Sequence, residues 1–259
     1  MAKTTPFKST DEFEKDLAEF ANKYKTIVQD HSSKISDYFE ISCYNMIIRY
    51  YEQTGYNMQV CNMLGGKFRY KCSPTGHLEN FSYFSATSKD DSGDVFYVFH
   101  NATVQSAHDE RVFTTPDIVV SKVCKSQYTN EHYQTKKKLS YLSNEDVITF
   151  CEAKHLSPFP ELMLNFIGTV NELKPICLRS EGESDIEHGH HIAPSLMMSG
   201  CESKPCKTIR ISLERRYFVN YFANLFDSPL HKRGSKNSGE ITTLSKRGMK
   251  KLNDQDGSF

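Results

Sequence analysis

Two short stretches constrain this chain most: residues 146–154, DVITFCEAK, and residues 115–121, TPDIVVS. Val147, Ile148, Thr149 and Phe150 form a β-branched and aromatic run that favours a strand, and Glu152, Ala153 and Lys154 follow it. A strand alternates faces with a period of two, so Glu152 and Lys154 share one face and Ala153 takes the other. In the earlier stretch Pro116 opens a second strand, where a missing N–H is tolerated, and Asp117 directly precedes the apolar run Ile118, Val119, Val120. If the two strands pair as neighbours, Asp117, Glu152 and Lys154 converge. Two carboxylates can hold a hard divalent cation such as Mg²⁺ and leave positions for water and a phosphate oxygen. The lysine can then orient or deprotonate the attacking water.

At these residues the chain resembles the PD-(D/E)XK nuclease superfamily, the fold of many restriction endonucleases and of RecB-like nucleases. Pro116 and Asp117 match the PD half, and Glu152, Ala153 and Lys154 match the (D/E)XK half. The resemblance implies an α/β protein, of the α+β mixed-sheet kind, with a restriction-endonuclease-like αβββαβ core, here extended by an N-terminal β-meander and flanking helices. It implies Asp117, Glu152 and Lys154 as catalytic residues, with Mg²⁺ (or Mn²⁺) held by Asp117 and Glu152. The Ala153 carbonyl and Glu40 are further candidate metal ligands. The implied activity is metal-dependent hydrolysis of nucleic-acid phosphodiesters, DNA more than RNA. A restriction or antiviral defence effector, controlled by a protein partner or by homo-oligomerisation, fits a chain with no visible reader module. The alternative is a non-catalytic nucleic-acid-binding or assembly subunit that keeps the fold.

With 259 residues, 38% hydrophobic and 25% charged, the chain can bury one sizeable core. The expected organisation is a peripheral N-terminal helix over 1–32, a nuclease-like domain over 33–226 with an insertion at 122–146, and a flexible polar tail over 227–259. There is no apolar run of membrane-spanning length and no signal-peptide stretch at the start, so a soluble, cytoplasmic protein without membrane contact is expected. Eight cysteines at 43, 61, 72, 124, 151, 177, 201 and 206 include no CxxC pair, which points to reduced thiols rather than a zinc ribbon or a disulfide scaffold. A formal charge of zero argues against bulk-charge coating of nucleic acid. A nuclease needs only a local basic surface.

The segment from Ser33 reads as a helix stopped by Gly55, with Ile35, Phe39, Met46 and Tyr50 near one face. Glu40 sits among these apolar residues, where an unpaired carboxylate is costly; it either reaches the metal site or lies on an exposed face. Runs at 57–63, 67–73, 80–87 and 95–106 predict a meander, with His100, Asn101 and Gln105 as candidate polar lining. The insertion carries Lys136, Lys137 and Lys138 among Tyr128, Tyr133 and Tyr141, which could contact phosphates and bases or form a solvated loop. After Lys154, Ser157 and the prolines at 158 and 160 predict a helix start, placing Glu161 and Asn165 as supporting residues near the site. His188, His190 and His191 lie in a polar stretch that reads as a flexible loop rather than a zinc site. Residues 192–199 read as a strand closing the sheet. A helix to about Arg216 and a short strand at 217–222 follow.

Overall fold

The fold is organised on its longest strand, β9 (Val147–Lys154), which has paired neighbours on both sides and only two residues that are not fully buried. The computed structural model describes residues 35–72, 76–90, 93–130, 138–178, 190–225 and 241–244, together with 18, 19 and 22. In chain order the elements are helix α1 (Ile35–Gln53), strands β1 (Tyr56–Cys61), β2 (Tyr83–Ser88) and β3 (Val95–His100), and the short pair β4 (Val104–Gln105) and β5 (Phe113–Thr114). Then come β6 (Ile118–Ser121), the short pair β7 (Gln127–Thr129) and β8 (Leu139–Tyr141), and β9. Helix α2 (Pro160–Leu173), β10 (Ser195–Met198), helix α3 (Lys204–Arg216) and β11 (Asn220–Phe222) complete the order.

Seven strands form one mixed sheet in the order β1-β2-β3-β6-β9-β10-β11. Pairing is antiparallel from β1 through β9 and parallel from β9 to β11. The reversal follows from the connections, since a parallel neighbour needs a long crossover and the crossovers here carry α2 and α3.

Period-two alternation sorts the sheet into two packed faces. Val98, Val120 and Thr149 lie side by side across β3, β6 and β9 on the face covered by α1, whose Tyr44 hydroxyl donates to the Val98 carbonyl at 2.8 Å. Phe99, Val119 and Phe150 lie side by side on the other face, where the Phe150 ring meets Phe166 of α2 at 5.9 Å. The Tyr221 hydroxyl ties β11 to α2 by donating to the Met163 carbonyl at 2.8 Å. The result is a sheet between helical layers.

Helix α1 departs from a one-faced amphipathic pattern: every residue from 41 to 48 is buried, as expected of a helix enclosed by a core on several sides. It ends at Gln53, and Gly55 turns the chain with φ 109°, a conformation that suits a residue without Cβ. Helix α2 starts with Pro160 in its first turn after Phe159, so Ser157 is not its cap. Its buried stripe is Met163, Phe166, Val170 and Leu173. Ser157 instead packs on Gly200, where a Cβ would lie 2.6 Å from the Ser157 Cα; only glycine fits there.

The meander is three strands, not four. Residues 67–72 contribute an isolated bridge, Lys67 to Leu64, but no sheet strand. Asn101, at φ 51°, ends β3 early. The strand in 192–199 does not close the sheet, because β11 pairs outside β10. The insertion at 122–146 folds partly on itself through β7 and β8, and its ends are closed by the Lys122 N–H donating to the Asp146 carbonyl at 2.8 Å.

Of the expected N-terminal helix, residues 18, 19 and 22 are described and helical, with Glu19 paired to Arg49 at 3.1 Å. Within the stretch expected to be a flexible tail, residues 241–244 are packed. Thr242 and Asn220 exchange two hydrogen bonds of 2.9 Å, and Ile241 and Leu244 are buried, an anchoring that polar composition alone conceals. All eight cysteines are free, four of them buried. No helix among the described residues is long and apolar enough to cross a membrane.

Candidate functional site

The register of β6 on β9 builds the candidate site. Ile118 pairs with Cys151, so one step outward Asp117 stands opposite Glu152, and directly opposed residues project to the same face. Lys154, two residues on, shares it. The Lys154 ammonium lies 2.7 Å from Glu152 Oε2 and 3.0 Å from Asp117 Oδ2. The Ala153 N–H donates to the same Asp117 oxygen at 2.6 Å. Asp117 is 7% exposed, so its position is set by these donors and not by solvent.

The charges are unbalanced, with two carboxylates to one ammonium. Burial pushes the Glu152 carboxyl up to about 7, and the Asp117 charge and a hydrogen bond to Asp117 add to this, against the pull of Lys154. For Lys154, burial works to lower the pKa, but the two carboxylates outweigh it and hold the ammonium above the ordinary lysine range. The group that protonates first as pH falls toward neutrality is therefore Glu152. With its folded-state pKa raised, Glu152 contributes stability that is fully present below about 4.5 and is lost as pH rises from there through about 7.

The other candidate residues are placed as follows. Glu40 is on α1, in the layer against the opposite face of the sheet, and half-buried. The Phe39 ring meets His155 at 5.7 Å, which sets this end of α1 beside the exit of β9. Cys43 links the two layers: burial pushes its thiol up, and the charges of Asp117 and Glu40 push it further. Glu161 and Asn165 are exposed on the first turns of α2, without a hydrogen bond to Asp117, Glu152 or Lys154 among the described residues. Lys138 is exposed and sits 3.8 Å from the Tyr128 ring centroid, a cation–π contact within the insertion. Lys136 and Lys137 lie outside the described residues.

His100 and Asn101 bear on the site through the backbone. The Asn101 N–H donates to the Asp117 carbonyl at 2.8 Å, and the His100 imidazole meets the Lys71 carbonyl at 3.0 Å. Gln105 instead donates to the Glu110 carbonyl at 3.0 Å. Lys71 is a residue that the sequence reading missed. Buried beside Asn101, it donates to that residue's carbonyl at 2.7 Å, and burial lowers its pKa to about 8. It lies in the expected strand run at 67–73, whose described residues do not join the sheet, and nothing local marks it for burial.

A second cluster was also missed. Asp94, His190 and His191 bring their ligand atoms within 4.8 Å of one another, a group of a kind that can hold a metal ion. The histidines were visible in the sequence, but their carboxylate partner comes from the turn before β3, about a hundred residues away in the chain.

The architecture defines a mixed α/β protein with a seven-stranded sheet. Comparison with known proteins gives no match to a family model, a curated protein or a solved structure.

Proposed function

We propose that this protein is a metal-dependent nuclease acting on nucleic acid, DNA in preference to RNA, through Asp117, Glu152 and Lys154. The observation that carries the reading is the direct contact of these three side chains at the end of the central strand. Two features support it. The order of helix, antiparallel strands, Asp117 strand, Glu152–Lys154 strand, helix and parallel strand resembles the αβββαβ core of restriction-endonuclease-like enzymes. The cluster also carries an excess of negative charge in a buried setting, which a hard divalent cation relieves.

Asp117 and Glu152 would hold Mg²⁺ or Mn²⁺, with the Ala153 carbonyl and Glu40 as further candidate donors. A bound divalent ion supplies Lewis-acid polarisation of the phosphate and a lowered pKa for water. The chain's own part is positional. Ala153 N–H fixes the Asp117 carboxylate, and Lys154, released from bridging two carboxylates, offers a compact positive charge to the attacking water and the developing phosphorane charge. Glu161 and Asn165, exposed on the first turns of α2, would be supporting residues for a water, Lys154 or the substrate phosphate.

The test is incubation of the purified protein with plasmid, single-stranded DNA and RNA, in Mg²⁺, Mn²⁺ or EDTA. Cleavage that EDTA abolishes is the expected result. Tight binding without cleavage in any metal would select instead the non-catalytic nucleic-acid-binding subunit.

The raised pKa of Glu152 adds a pH signature. Metal ligands must be deprotonated, so with a Glu152 pKa of about 7, Mg²⁺ should bind roughly tenfold more weakly at about pH 6 than at about pH 8. Below neutrality, binding should release close to one proton per ion. Calorimetry in two buffers of different ionisation enthalpy reads both quantities, and a pH-independent affinity would remove Glu152 from the ligand set.

A further inference from the structure

We infer that Asp94, His190 and His191 form a second cation site, suited to Zn²⁺ or a similar borderline transition metal, that fastens the approach to β10 onto the end of the meander closed by the β2–β3 turn. Two imidazoles and one carboxylate are a donor set for zinc, nickel or copper, whereas Mg²⁺ and Ca²⁺ select all-oxygen sites. The Asp117–Glu152 pair and this cluster therefore call for different ions.

The geometry fits a tetrahedral centre. Ligand atoms about 2.0–2.1 Å from a tetrahedral ion lie roughly 3.3 Å from one another. His190 Nε2 is 3.2 Å and His191 Nε2 is 4.0 Å from Asp94 Oδ2, so a small closure completes the set. The orientation of His191 is fixed from behind, with its Nδ1 3.0 Å from the buried Tyr51 hydroxyl. With a metal on Nε2 the proton sits on Nδ1 and is donated to Tyr51 Oη, the outer partner that metal-bound histidines usually have. The Tyr56 hydroxyl lies 2.5 Å from His190 Nε2 and 3.2 Å from Asp94 Oδ2. A fourth donor atom thus reaches the same focus, and the half-exposed His190 side chain, at 51%, leaves an entry path.

The donors come from the start of β1, the turn before β3 and the segment entering β10. His191 also accepts the Leu244 N–H through its carbonyl at 2.9 Å. An ion here would join three distant parts of the chain and hold residues 241–244 with them. This end is remote from the proposed nuclease site: Glu40 and Tyr51 lie on one helix, about 16 Å apart at 1.5 Å per residue.

The experiment uses the full chain, stripped with chelator and then titrated with Zn²⁺. Wild-type protein should take up zinc at this site, and at ~100-fold excess over Kd its Tm should rise by roughly 5–10 °C. His190→Ala and Asp94→Asn should each lose at least ~10- to 100-fold in zinc affinity and lose the Tm rise. Asp117→Asn should keep both. Because His190 is half exposed, its truncation opens no core cavity and keeps the test valid if Asp94→Asn folds poorly. No zinc uptake by wild type, or uptake and Tm rise unchanged in His190→Ala, would overturn the assignment; the latter would move the metal to exposed thiols such as Cys124 and Cys201.

Discussion

Asp117→Ala and Lys154→Ala are each expected to abolish Mg²⁺-dependent cleavage while moving metal affinity in opposite directions. Asp117 supplies charge directly to the ion, so its loss should weaken Mg²⁺ binding. It should also lower the Glu152 pKa, because the Asp117 charge helps to raise it. The Ala variant also strips the acceptor from the Ala153 N–H, so Asp117→Asn is the companion variant, keeping an oxygen there without the charge. Lys154→Ala removes a positive charge 2.7 Å and 3.0 Å from the two carboxylates. The ion then meets less competition, and affinity should hold or tighten. Groups that position or deprotonate water contribute ~10²- to 10⁴-fold in rate, a loss visible in a plasmid assay. Calorimetric titration of Mg²⁺ separates the two variants. Cleavage by Lys154→Ala at the wild-type rate would make the lysine a structural counter-ion only, and the proposed mechanism would fall with it.

The largest expected effect on stability comes from Phe150→Ala. The side chain is fully buried at the middle of β9, with Phe166 against it and Val119 across the strand pair. Removing a buried phenylalanine costs about 3–5 kcal/mol through lost transfer energy and the cavity left behind, which for a domain of this size lowers Tm by roughly 6–20 °C. Leu164→Ala, on the exposed side of α2 at 51%, is the control and should change stability by no more than ~0.5 kcal/mol. Denaturant midpoints at constant m-value measure both. A Phe150→Ala cost below about 1 kcal/mol would mean that the layer between β9 and α2 is not the packed core described.

How much of this was legible in the sequence depends on how local the cause was. The strands at 118–121 and 147–154 were legible because β-branched runs declare themselves. The end of α1 at Gly55 was legible because only its backbone freedom is at issue. The sharing of one face by Glu152 and Lys154 follows from strand periodicity alone. Their meeting with Asp117 needed a pairing assumption, which the Ile118–Cys151 register supplies. What sequence could not show are features made by long-range company. Lys71 looks like any lysine until burial beside Asn101 lowers its pKa. His190 and His191 look like loop residues until Asp94 arrives from another turn. Residues 241–244 look like tail until Asn220 hydrogen-bonds Thr242.

The change from antiparallel to parallel pairing at β9 has a consequence for assembly. The connections from β1 to β2, β3 to β6 and β6 to β9 are of similar length, about 17–25 residues, whereas β10 reaches β9 across about 40, through α2 and the chain beyond it. Pairings that close long loops meet their entropy cost before their contacts form, so they come late and slowly. The three proposed catalytic side chains all lie on the early side of that divide, at the β6–β9 pair, and the parallel strands β10 and β11 lie on the late one. A nascent chain has its meander before it has Glu152 and Lys154, so the acidic cluster is complete only once the central strand β9 has been made and paired with β6.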